Sequence, residues 1–112
     1  MSVPLSLIEW LQNWYKEQCN GEWEHVRGVT IETLGTPGWQ VRVDLEGTQL
    51  EGVPMPLARR ERSAQDWIEC CVEHNQFRGE GDPLKLAAIV HHFRQWALKN
   101  IPEKPAREGQ VE

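Results

Sequence analysis

The sequence predicts an α+β protein in which an antiparallel sheet of about four strands carries an N-terminal and a C-terminal helix on one face. Two observations support this prediction. Apolar residues recur at helical spacing near both ends of the chain, and between them the hydrophobic period changes to two. Both helices need an apolar surface and the sheet offers one apolar face, so we expect both helices to pack there.

The first helix is predicted over residues 5–19. Its apolar stripe, at i, i+3, i+4 and i+7, consists of Leu7, Trp10, Leu11 and Trp14. The pair Asn20-Gly21 follows directly, and such a pair supplies the left-handed backbone that commonly ends a helix.

Strand periodicity appears after His25, in residues 29–33 and again in residues 39–45. Both apolar sets must face the core, so the loop between them should place Ile31 opposite Val41 or Val43. Glu46-Gly47 is then predicted to turn the chain into a third strand, with Leu50 beside Val43. This meander would place Arg42 opposite Glu51 on the outer face.

The second half of the chain is predicted as loop, strand, loop and helix. Residues 52–65 contain two prolines and a basic cluster, and are predicted to be a loop. Residues 66–73 are rich in strand formers and give the fourth strand, whereas residues 74–81 are predicted to be a loop anchored by Phe77. Asp82-Pro83 is a helix start signal, and the helix should end near Asn100. We expect one globular domain over residues 1–101 and a disordered polar tail over residues 102–112.

The charge of the chain is concentrated in one segment. The net charge is −5, and the stretch from Glu17 to Glu51 holds seven acidic and two basic residues, while the remainder holds ten of each. Such a segment repels phosphate backbones, so nucleic-acid binding is not expected.

No apolar run approaches the roughly 20 residues of a membrane span, and no signal peptide is apparent. Three cysteines, two of them adjacent, do not indicate a disulfide framework, which favours a reducing cytoplasm.

The stretch CNGEWEH, from Cys19 to His25, is the main candidate for chemistry. A Cys–His nucleophile would need Cys19 within reach of His25, with Glu22 or Glu24 orienting the imidazole. No glycine-framed nucleophile turn or oxyanion loop accompanies these residues. We therefore interpret the stretch as a helix end and a strand start, with no catalytic residue.

Metal and cofactor sites are not predicted either. Cys70 and Cys71 should point to opposite faces of a strand, and His91 and His92 lie about 100° apart around a helix. The sequence contains neither CxxC nor HExxH.

Trp23 has two interpretations that the sequence leaves open. It is bracketed by Glu22 and Glu24, and a partly exposed tryptophan ringed by carboxylates is typical of a protein-binding hot spot. It could equally plug the core at the edge of the sheet.

Residues Trp10 to Leu50 resemble the immunity protein 53 family of bacterial polymorphic-toxin systems. The shared motifs are WLQNWY, C-x-G-x-WEH, G-x-x-IETL, PGW and D-L-x-G-T, and the later Asp66-Trp67-Ile68 and Phe93-Arg94-Gln95-Trp96 also fit. Gly35-Thr36 before PGW departs from the pattern. The resemblance implies a cytoplasmic protein that is not an enzyme and that binds and neutralises a cognate toxin domain. It assigns no contact residues.

The acidic segment indicates how such binding would occur. Many toxins of these systems attack nucleic acids and present basic clefts, so a basic nuclease is one candidate partner, and opposite charge speeds association. The alternatives from other classes are a small enzyme using His25 with a carboxylate and a carrier holding an apolar ligand between helices and sheet. The predicted partner-binding residues are Glu22, Trp23, Glu24, His25, Glu32, Asp44, Glu46 and Glu51. The oligomeric state is not predicted.

Overall fold

The computed structural model describes residues 6–101, so the predicted tail at 102–112 lies outside the described residues. The elements are α1 (Leu7–Gln18), α2 (Trp23–Val26), β1 (Val29–Leu34), β2 (Gly38–Asp44), β3 (Ala58–Ser63), β4 (Asp66–Glu73), β5 (Gln76–Gly81) and α3 (Leu86–Asn100). The strands form one antiparallel sheet in the order β1-β2-β5-β4-β3. The α+β prediction is confirmed, with five strands where about four were expected.

The first hairpin forms as the hydrophobic alternation requires. Ile31 pairs with Val41 and Val29 with Val43, so the apolar side chains of β1 and β2 share one face. Val41 and Val43 are fully buried there. Parity therefore predicted the shared face correctly, and the structure selects Val41 rather than Val43 as the partner of Ile31.

The predicted third strand over residues 48–51 is wrong. The segment after Leu45 folds into successive turns, in which the Thr48 backbone N–H donates to the Leu45 carbonyl oxygen at 3.0 Å and Thr48 Oγ1 does so at 2.7 Å. Leu50 is fully buried although it lies in these turns. The apolar residue that suggested a strand therefore reaches the core from a turn.

Strands β3 and β5 occupy segments predicted to be loops. β5 takes the place beside β2, so Val43 pairs with Phe77 and Arg42 pairs with Arg78, not with Glu51. Its glycines make room for α3, because a Cβ on Gly79 would lie 2.4 Å from Ile89 Cγ2. β3 is an edge strand with almost no buried side chain, which explains its polar sequence.

Both helices lie on the apolar side of the sheet. α1 begins with a capping box between Ser6 and Glu9, and its C-cap is Cys19. α3 contacts β2, β5 and β4, and α1 packs against α3. Phe93 of α3 meets Phe77 of β5 and Trp14 of α1, with ring centroids 5.0 and 5.3 Å apart. One aromatic cluster thus joins the two helices to the central strand.

The start of α3 differs from its prediction. The N-cap position is Lys85 and not Asp82, although the helix does end at Asn100 as expected. Asp82 is buried and its carboxylate accepts from the backbone N–H groups of Trp67 and Leu84, both at 2.8 Å, and from Lys85 Nζ at 2.7 Å. These bonds lower its pKa to about 2, with the Lys85 ammonium as the main cause. Asp82 therefore ties β4 to the helix start.

Candidate functional site: a charged helix-free sheet face

The stretch CNGEWEH forms the junction between α1 and the short helix α2. The Glu24 carboxylate accepts from the backbone N–H groups of Asn20 and Gly21 at 3.0 and 2.9 Å. Asn20 Oδ1 in turn accepts from the backbone N–H groups of Glu22 and Trp23. The hydrogen bond to its own backbone N–H, with those from Asn20 and Gly21, lowers the pKa of Glu24. These side chains close a turn between two helices.

Trp23 belongs to the core, which is the second of the two interpretations that the sequence left open. It is only 6% exposed, and its ring packs edge-on against Trp14 with centroids 6.2 Å apart. Its indole N–H donates to the Glu46 carbonyl oxygen at 2.9 Å. Because α2 places the indole ring against Trp14 and the Glu46 backbone, the aromatic surface of Trp23 packs inside the protein.

The Cys–His arrangement considered from the sequence does not form at this junction. Cys19 Sγ donates to the Tyr15 carbonyl oxygen at 3.4 Å. His25 is exposed on α2, and within residues 6–101 no hydrogen bond joins its imidazole to Cys19 or to a carboxylate. The other two thiols are held protonated, since burial raises the pKa of Cys70 to about 12 and also raises the pKa of Cys71.

Two more of the predicted acidic residues lie in the turns that follow β2. Glu46 Oε1 forms an ion pair with Arg27 Nη2 at 2.8 Å. Glu51 Oε1 accepts from the Gly47 backbone N–H at 3.0 Å. Glu22 and Glu24 lie at α2 beside the buried Trp23, and of the four carboxylates those of Glu24, Glu46 and Glu51 are engaged in local bonds.

Glu32 and Asp44 lie elsewhere, on the side of the sheet that carries no helix. Glu32 is exposed on β1 and lies 3.3 Å from Arg42 Nη1. Asp44 closes the end of β2, because its carboxylate accepts from the Gly28 backbone N–H at 2.9 Å and from Gln76 Nε2 at 3.0 Å. The predicted acidic residues therefore divide between the turns and this face.

On the helix-free side, the pairing register brings twelve side chains together in three neighbouring rows, and we call this set of twelve the acidic face. Its three rows are Glu32, Gln40, Glu80, Glu69 and Arg59; Thr30, Arg42, Arg78 and Cys71; and Asp44, Gln76 and Glu73. Five carboxylates and three guanidinium groups give it a formal charge of −2. Gln40 Nε2 of β2 donates to the Glu80 carboxylate of β5 across the face, and Arg42 Nη1 donates to Gln40 Oε1 along β2.

Three acidic residues of this face escaped the sequence prediction: Glu69, Glu73 and Glu80. They lie outside the acidic segment, and Glu80 lies in a stretch predicted to be a loop. Glu69 and Glu73 alternate with the apolar residues of β4, so the period of two could have placed them on the outer face. In β5 the same alternation is present, but two of its inward positions are glycines and its signal is weak.

The acidic face ends in a mixed-charge hollow of about 320 Å³, lined by Arg27, Asp44, Glu46, Glu73 and Arg78 among others. On the opposite side, an open apolar groove of about 490 Å³ runs between α1 and β1. It is lined mainly by Ile8, Leu11, Tyr15, Val29 and Ile31, with Gln12 and Arg27 as polar members. This groove is open at the edge of the sheet, whereas the carrier alternative predicted a cavity in the interior.

Metal-binding and membrane-spanning features were sought over residues 6–101. That range contains no group of three or more His, Cys, Asp or Glu side chains arranged to hold a metal ion. None of its helices is long and apolar enough to cross a membrane.

The fold and surface define a small α+β protein whose sheet is covered by helices on one side and presents a charged, uncovered face on the other. Comparison with known families identifies the family to which the chain belongs. The profile described as immunity protein 53 matches residues 8–98, and the chain belongs to this family. The comparisons with curated proteins and with solved structures each found no match. The resemblance seen in the sequence is thereby confirmed.

Proposed function

We propose that this protein binds a cognate toxin domain and neutralises it by protein–protein contact through the acidic face. Membership of the immunity protein 53 family supports the partner class. The observation that carries the proposed surface is the acidic face, whose three rows hold five carboxylates and three arginines across paired strands. A basic surface on the toxin complements this charge.

The acidic face is suited to binding because its backbone is rigid and its charges are partly accessible. The three central strands are paired on both sides, so the face loses little conformational freedom in a complex. Side chains of Glu32 and Glu73 are 47% and 58% exposed and their nearest arginine nitrogens lie 3.3 and 3.9 Å away. These weak ion pairs can exchange for contacts with a partner at little cost.

The other predicted contact residues would form one margin of this surface. Glu46 lines the hollow at the end of the face with Asp44, and Glu22, Glu24, His25 and Glu51 lie in the α2 region and the turns beside it. Of these, Glu24 and Glu51 cap backbone N–H groups, so their carboxylates serve the fold first. We therefore assign the largest electrostatic contribution to the acidic face, and a margin role to these residues.

The test is co-expression with the toxin domain encoded beside the gene for this chain. We expect the wild-type chain to restore growth of cells that produce this toxin domain. Purified chain should also bind a catalytically inactivated form of the same domain, with an association rate that falls as salt rises. Failure to restore growth together with failure to bind would refute the proposal.

A further inference from the structure

The two edges of the sheet differ in how they are protected. Within residues 6–101, β1 and β3 are the edge strands. β3 carries Arg59, Arg60, Glu61 and Arg62 and has a register shift between Glu61 and Ser63. Charges and bulges of this kind discourage the addition of another strand. β1 (VTIETL) has one charge in six residues and a regular register, so its edge lacks this protection.

The hydrogen-bond phase of β1 identifies the backbone groups that face outward. The Asp44 N–H donates to the Gly28 carbonyl oxygen at 3.0 Å. In an antiparallel ladder the bonded pairs alternate, so Thr30, Glu32 and Leu34 bond to β2. Val29, Ile31 and Thr33 therefore direct their N–H and C=O groups away from β2, toward the free edge.

The side chains beside this edge set what kind of strand fits there. On the helix side, a strand added next to β1 would lie beside Val29 and Ile31, along the groove lined by Ile8 and Tyr15. Ile8 is 56% exposed, and Tyr15 and Ile31 are each 39% exposed, so apolar side chains fit this side. On the acidic side, the added strand would lie beside Thr30 and Glu32, where a lysine or arginine opposite Glu32 is favoured.

We infer that β1 receives an extended segment of the toxin as a sixth strand, with alternating basic and apolar side chains. This inference rests on the proposed function. Strand addition to a sheet edge gains affinity from main-chain hydrogen bonds and specificity from alternate side chains. A second copy of this chain fits less well, because its β1 would bring another Glu32 and no cation to the acidic side.

The test compares Thr33→Pro with Thr33→Ala, using the catalytically inactivated toxin domain encoded beside the gene as the probe. Proline removes the outward N–H and places its ring where the added strand would lie, and it is tolerated on an edge strand at such a position. Alanine keeps the N–H. We expect the dissociation constant of T33P to exceed that of T33A by at least about tenfold, with unchanged circular dichroism.

Amide hydrogen exchange of the wild-type chain gives a second readout that does not depend on how T33P folds. On toxin binding, the N–H groups of Val29, Ile31 and Thr33 should become slow to exchange. Those of Thr30 and Glu32 should already be slow in the free protein because they bond to β2.

The possible outcomes separate this inference from the proposed function. A wild-type complex in which the outward N–H groups exchange as fast as before would overturn strand addition and leave toxin binding intact. Absence of any complex would overturn both. The outward N–H groups could also exchange slowly without toxin, in a dimer whose population rises with protein concentration. That result would show that a second copy occupies the edge, and it would also overturn the inference.

Discussion

Reversing the charge of Glu32 and Glu73 changes the acidic face without touching the bonds that hold the sheet together. Both side chains are exposed, and their ion pairs with Arg42 and Arg78 span 3.3 and 3.9 Å. Such surface pairs contribute at most about 1 kcal/mol to stability. Glu24 and Asp44 are poorer choices because their carboxylates accept backbone N–H bonds, so reversal there would also perturb folding.

The expected size of the effect follows from the formal charge of the face. The double change, Glu32→Lys with Glu73→Lys, alters the charge by four units, from −2 to +2. Two unit charges about 10 Å apart in water interact by about 0.4 kcal/mol. Four units opposite one partner cation then correspond to about 1.7 kcal/mol, or about 17-fold in the association rate at low salt. Each single reversal should slow association about fourfold on the same basis.

Stopped-flow association with the inactivated toxin domain measures these rates. At about 0.02 M salt the full effect should appear, and at about 0.3 M it should shrink because the Debye length falls below the charge separation. Glu17→Lys is the matched control for each single reversal, since Glu17 is exposed on α1, in the helix layer. An unchanged rate in the double variant would refute the reasoning, as would an equal loss in Glu17→Lys.

Three further predictions concern stability and are measured by urea unfolding. Gly79→Ala should destabilise the protein by about 1–3 kcal/mol, because its Cβ would lie 2.4 Å from Ile89 Cγ2; an unchanged midpoint would contradict this packing. Trp23→Phe removes the indole donor to the Glu46 carbonyl and should lower the free energy of unfolding by about 1 kcal/mol. A loss of toxin binding without a loss of stability would contradict the assignment of Trp23 to the core. In the folded protein the pKa of Asp82 is about 2, against an ordinary 3.8, so the stabilisation it contributes is present above pH about 4 and is lost toward pH 2. Asp82→Asn should flatten this part of the plot of stability against pH. An unaltered slope would contradict the prediction.

Much of the fold was predictable where a single face carried the apolar residues. The helical stripes predicted both long helices, and the period of two predicted the first hairpin with Ile31 opposite Val41 or Val43, of which the structure has Val41. β5 was missed because its inward positions include Gly79 and Gly81, whose lack of side chains weakens the hydrophobic signal. Those glycines are explained by the approach of α3 to the sheet, which no local pattern reports.

The candidate site was predicted in part, for a related reason. Glu32 and Asp44 were correctly singled out as outward residues of their strands, whereas Glu80 was not, because its strand was not recognised. Trp23 between two glutamates is compatible with an exposed anchor or a core plug, and the fold of α2 over the turn at Glu46 selects the second. Local polarity alone could not decide this, because burial depends on segments distant in the chain.

The sequence by itself determined the family, the class of fold, the two long helices and the faces of β1, β2 and β4, because each of these is written in residues close together along the chain. Only the tertiary structure decided that β5 lies beside β2, that Leu50 enters the core from a turn and which strands form the edges. It also brought Glu69, Glu73 and Glu80 onto the same face as Glu32 and Asp44. The physical reason is that strand order depends on contacts between distant segments, and hydrophobic periodicity states which side of a strand is buried but not which strand lies next to it.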